Sequence, residues 1–159
     1  MPPFATKLAH GFTLLLALVL LAMVGLSAGN VVARYLFNAA ILWADEIAVF
    51  GMILLTWLGA IVVAWRGSDI RMDLLVAALP RGAQRPVAVL QDLVVAGSCG
   101  WVAWLSYGYV TRVHRIGMTS DSARLPVWPV HAVIPVALAA IALIALVRAL
   151  RTLRRPQTK

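Results

Sequence analysis

Four long apolar stretches occupy most of this 159-residue chain, at about 11–33, 43–65, 87–110 and 127–147. Each runs for about 21 to 24 residues, and a helix needs roughly 20 apolar residues to cross a hydrocarbon core of about 30 Å. Backbone groups in lipid must be satisfied within their own segment, so the stretches are expected to be helices rather than open strands. Their second property is a lack of charge. Asp45 and Glu46 lie in the opening turn of the second stretch, and His131 lies near the start of the fourth. Deeper than these, Asp92 is the single acid or base.

With 62% hydrophobic residues and a mean hydropathy of +0.90, a water-soluble domain is excluded, because so much apolar area has no core to enter. The sequence reads as all-α, a single integral membrane domain over 1–159 with four transmembrane helices. About 70 residues remain for loops and tails, too few for a soluble catalytic domain.

The formal charge is +8, from 14 Lys and Arg against 6 Asp and Glu. In a soluble protein this would suggest nucleic acid, but the distribution points to a membrane. Lys7 precedes the first stretch, Arg66, Arg71, Arg81 and Arg85 fall between the second and third, and Arg148, Arg151, Arg154, Arg155 and Lys159 follow the fourth. Arg34, Arg112, Arg115 and Arg124 fall on the other side. The positive-inside rule places the richer side, and so both termini, in the cytoplasm. A basic tail at 148–159 then meets anionic headgroups of the bilayer, with no nucleic acid required. The first stretch is expected to stay as an uncleaved signal-anchor, its apolar run being long for a cleaved signal peptide.

Between the second and third stretches, residues 69–79 suggest a short amphipathic helix ended by Pro80. Met72, Leu75, Val76 and Leu79 share one stripe, flanked by Arg71 and Asp73. Eleven residues cannot span, so the segment is expected in the inner interface or against a second membrane subunit. Pro86 is expected in the first turn of the third helix. Asp92 lies one to two turns deeper, within reach of interfacial water or of Arg85 two turns back. Intramembrane acids are functional candidates by default. Gly97, Ser98, Gly100 and Ala103 offer a small-residue surface over which another helix can approach. The two carboxylates Asp45 and Glu46 complement the dipole of their helix, or else touch a partner at the outer surface. The outer loop, at 111–126, carries Arg112, Arg115 and Arg124, and Pro135 is expected to kink the last helix or free a carbonyl.

Enzyme signatures are absent: there is no phosphate-binding loop, metal-ligand spacing or nucleophile motif. No cofactor is implied. Two alternatives remain at this point. One is a self-contained four-helix transporter or proton exchanger using Asp92. The other is a haem-binding anchor using His114 and His131, both near the outer face.

Several segments in order resemble a known family. These are Asn30-Val31-Val32-Ala33-Arg34-Tyr35-Leu36-Phe37-Asn38, Trp43-Ala44-Asp45-Glu46-Ile47-Ala48 and Arg66-Gly67-Ser68-Asp69-Ile70-Arg71-Met72-Asp73-Leu74. Gly117-Met118-Thr119-Ser120, Leu125-Pro126-Val127-Trp128 and Ile134-Pro135-Val136 follow. Together they are similar to the small membrane subunit, of DctQ type, of tripartite ATP-independent periplasmic (TRAP) transporters. The chain departs from the family at Ser68-Asp69, where a His is frequent.

The resemblance implies a role in sodium-coupled uptake of organic acids across the bacterial inner membrane. A large membrane permease subunit would hold the substrate and ion sites, and a periplasmic substrate-binding protein would deliver the solute. The small subunit would brace the large one, with Asp45, Glu46, Asp73, Asp92, Gly97 and Gly100 as candidate contacts. Arg112, Arg115 and Arg124 would be the candidate docking residues for the periplasmic protein.

Overall fold

The computed structural model describes residues 3–67 and 79–154. Within them lie four helices: α1 (Pro3–Leu36), α2 (Leu42–Arg66), α3 (Arg81–Ile116) and α4 (Trp128–Arg154). All four contain a segment long and apolar enough to cross a membrane. The all-α reading holds, and no strand forms among the described residues. The helix expected at 69–79, with Asp73, falls outside the described residues except for its last position.

Each helix outruns its apolar stretch. At 1.5 Å per residue, the 36 residues of α3 extend for about 54 Å, well beyond a 30 Å core. Helices stop where the backbone meets a local terminator, and hydropathy alone does not mark that place. Gly67 and Gly117 are the terminators of α2 and α3, at φ 65° and 66°, in the left-handed region that glycine enters freely. Arg112 and Arg115 therefore ride on the last turns of α3, and the outer connection is shorter than the expected 111–126 loop. Arg148, Arg151 and Arg154 continue α4 instead of opening a tail. Pro86 lies inside α3, which begins five residues earlier at Arg81, and Pro135 is buried inside α4.

The helices form a single layer in the order α3, α4, α2, α1. Only neighbours in that order pack together among the described residues. The tightest seam is between α3 and α4. Ala103, Val110 and Val113 of α3 are buried, as are Ala137, Leu138, Ala145 and Ala149 of α4, which packs on both α3 and α2. The three alanines of α4 have 0% exposure, so the backbones approach closely, as helices in lipid must when packing drives their association. By contrast, Gly97 and Gly100 have open space where a Cβ would stand, so the small-residue surface expected around them is split. Only Ala103 of that set is buried within the chain. At the other edge, Leu14, Leu18, Leu21 and Val24 of α1 are each more than half exposed. Met23 of α1 rests on Gly51 of α2, where a Cβ would collide with its sulfur.

Candidate functional site

At the outer end of the layer, two adjacent carboxylates hold two different neighbours. Successive helical residues point about 100° apart, so Asp45 and Glu46 at the start of α2 can reach two different neighbours. Asp45 turns to α1. It accepts hydrogen bonds from Asn30 Nδ2 at 3.0 Å and from Arg34 Nη2 at 3.1 Å. Asn30 and Arg34 are one turn apart on α1, so both reach the same carboxylate. Asn30 is 2% exposed and uses its other end as well, its Oδ1 accepting the Ile41 N–H at 2.9 Å. One amide thus fixes both the start of α2 and its first acid.

Glu46 turns to the α3–α4 connection. Its two carboxylate oxygens accept the N–H groups of Ser122 and Ala123, each at 2.8 Å. The connection itself is tightened by Ser120 N–H to Leu125 O at 2.9 Å and Val127 N–H to Met118 O at 3.1 Å. Arg124 stands there with φ 51°, a left-handed conformation uncommon for a side chain of its size. The Glu46→Gln variant keeps the shape but replaces one acceptor oxygen with a donor. We expect faster amide hydrogen exchange at Ser122 and Ala123 with little change inside the helices, and unchanged exchange there would refute the clasp.

The opposite end of the layer is held by three arginines. Asp92, 6% exposed, lies on α3 with its Oδ1 3.5 Å from Nε of Arg148 on α4. Arg85, expected to serve Asp92, instead donates through Nε to Thr152 O at 3.0 Å and through Nη2 to Leu153 O at 2.7 Å. It satisfies carbonyls that the end of a helix leaves without partners, at the negative pole of the α4 dipole. On the α1–α2 side, Arg66 Nη2 donates to Thr13 Oγ1 at 3.0 Å.

The candidate residues therefore separate into groups. Asp45, Glu46 and Asp92 are engaged within the chain. Gly97 and Gly100 lie open on α3, and Arg112, Arg115 and Arg124 are exposed at the outer end. Among the described residues, those three arginines make no ion pair or hydrogen bond. His114 packs against Trp128 with ring centroids 4.9 Å apart, and His131 against Tyr109 at 5.4 Å, so each imidazole sits against an aromatic ring at the α3–α4 seam. No cluster of three His, Cys, Asp or Glu suited to a metal ion occurs among the described residues.

Sequence reasoning missed two participants. Asn30 was legible as a polar residue one turn before Arg34 at the end of a span. Arg148 was legible as the base that comes closest to the apolar part of the last helix. A carboxylate tied to a guanidinium across its own helix seam is arranged to join helices, and the outer clasps do the same for α1, α2 and the outer connection.

A family model described as "Tripartite ATP-independent periplasmic transporters, DctQ component" matches residues 23–155, a region that includes every one of these clasps except the Arg66–Thr13 bond. Among curated proteins, the chain is similar to the ectoine TRAP transporter small permease protein TeaB of Halomonas elongata. The two are 24% identical over 122 residues, covering 77% of this chain and 63% of the relative. The chain thus spans less than two thirds of that relative's length.

Proposed function

The chain belongs to the DctQ family, the small-permease component of TRAP transporters, and from that premise we propose that it is the non-catalytic scaffold of a sodium-coupled importer of organic acids. The observation that carries this reading is the pairing of Asp92 with Arg148. The sole acid deep in a span is turned into the chain's own α3–α4 seam. Transporters gather substrate and ion ligands near the midplane, at the junction of moving parts. These helices offer no such gathering among the described residues, which supports placing the pathway in a large permease subunit beside them.

In this reading the protein is multi-pass in the bacterial inner membrane with both termini cytoplasmic. The outer ends of α3 and of the α3–α4 connection then face the periplasm. Arg112 and Arg124 meet acidic groups of a periplasmic substrate-binding protein, Arg124 being carried on the connection that the Glu46 clasp holds. Charge reversal at Arg112 and Arg124 is expected to slow solute delivery several-fold at low salt and much less at high salt, because exposed charges are screened beyond about 10 Å at 0.1 M. A defect independent of salt would argue against docking.

The test of the whole reading is affinity purification of the full chain from its native membrane. A much larger multi-span protein should accompany it, and uptake should require both. Transport by this chain alone in liposomes would sink the proposal. Because the relative's name specifies ectoine, ectoine belongs beside organic acids in the uptake assay.

A further inference from the structure

A groove of about 720 Å³ runs along the outer half of the α3–α4 seam. This is within the usual range of small-molecule sites, roughly 300–1,000 Å³. Its deep end is apolar, formed by Ala103, Pro135, Val136 and Ala139, while its outer end carries Thr111, His114 and Arg115. From Ala103 to Arg115 is twelve residues of helix, or about 18 Å at 1.5 Å per residue. One leaflet of a 30 Å hydrocarbon core is about 15 Å deep. The groove therefore has the length of one leaflet, a dry floor and a cationic mouth.

We propose that this groove holds one acyl chain of an anionic phospholipid, with its phosphate bound by Arg115. Three observations favour that occupant. Arg115 has no ion-pair or hydrogen-bond partner among the described residues. Its planar guanidinium is suited to paired hydrogen bonds with phosphate oxygens. Trp128 lines the same groove at its outer end, beside His114, where amphipathic rings mark headgroup height.

The choice of an anionic head rests on local charge. Arg112, Arg115 and Arg124 share this end of the molecule with Asp121 and Glu46, and the Glu46 carboxylate is already occupied by two backbone N–H groups. A zwitterionic head would bring an ammonium group into this cationic field. The site does not depend on the transport reading; only its assignment to the periplasmic leaflet rests on the proposed orientation.

The test is native mass spectrometry of the purified full-length chain with equimolar phosphatidylglycerol and phosphatidylcholine of identical acyl chains. The wild type should retain phosphatidylglycerol in preference to phosphatidylcholine. Arg115→Gln, at an exposed position, should lower phosphatidylglycerol retention by about tenfold and so erase the preference. Val136→Trp fills the floor at a residue 65% exposed, and should reduce both lipids equally while leaving salt-dependent docking intact. An unchanged lipid ratio in Arg115→Gln would overturn the proposal, as would unchanged retention in Val136→Trp. So would a photo-cross-linking residue at position 136 that, in the assembled complex, labels a polypeptide instead of lipid.

Discussion

Arg148→Ala should cost the protein about 3 kcal/mol of stability, because it takes a guanidinium away from the Asp92 side chain, which is 8% exposed. Breaking one side of a buried pair usually costs about 3–5 kcal/mol; the lower end applies here because the Arg148 side chain keeps 24% of its surface accessible. Asp92→Asn should cost less. The amide fills the same volume without a charge, and the long Arg148 side chain can extend toward interfacial water, which the short Asp92 cannot do. Unfolding of the purified protein in mixed detergent micelles reads the difference. Equal losses in the two variants would contradict the asymmetry. Uptake by the complete transporter should survive Asp92→Asn wherever assembly is normal. Abolished uptake with intact assembly would restore Asp92 as a proton carrier and remove the main support for a scaffold.

The second large effect is expected from Asn30→Leu. The substitution nearly preserves volume but leaves the Ile41 N–H without its acceptor and deprives Asp45 of a donor. An unsatisfied buried backbone donor costs about 1–3 kcal/mol, and the lower end applies to this part-buried one. The consequence should be concentrated at one place, since α1 packs on α2 alone among the described helices. Limited proteolysis should open the 37–41 connection in Asn30→Leu while the α3–α4 seam stays protected. Uniform loosening of all four helices would indicate that the amide is not a local clasp.

Much of this fold was legible in the sequence, and the unread parts share a physical cause. Hydropathy reports where lipid is, so it located the four spans, but it is silent about where a helix stops. Gly67 and Gly117 set those ends, and extending α3 to Ile116 moved Arg112 and Arg115 from a loop onto a rigid helix. Asp45 and Glu46 stood out as charges at the mouth of a span. Their partners did not, because Ser122 and Ala123 are 76 and 77 residues away from Glu46 and offer only backbone N–H groups, which every residue carries. Asp92 was conspicuous for the same reason of rarity. Its base was sought on its own helix, where spacing is known; which residue of α4 stands opposite depends on the register between helices, a property of packing that no single helix encodes.

The single-layer order of the helices also dictates when the chain becomes one body during synthesis. Helices α2 and α3 follow each other in sequence yet make no contact among the described residues, because α4 lies between them. As the chain emerges, α1 and α2 can join through Asn30 and Asp45 at once. Among the described residues, the third helix then has no other helix of the chain to pack on until the last helix is released and slots into the gap. A translation product ending before Trp128 would keep the Glu46 clasp on Ser122 and Ala123 but lack the helix seam that joins α3 to the rest, and would stay exposed to membrane quality control until the final segment arrives.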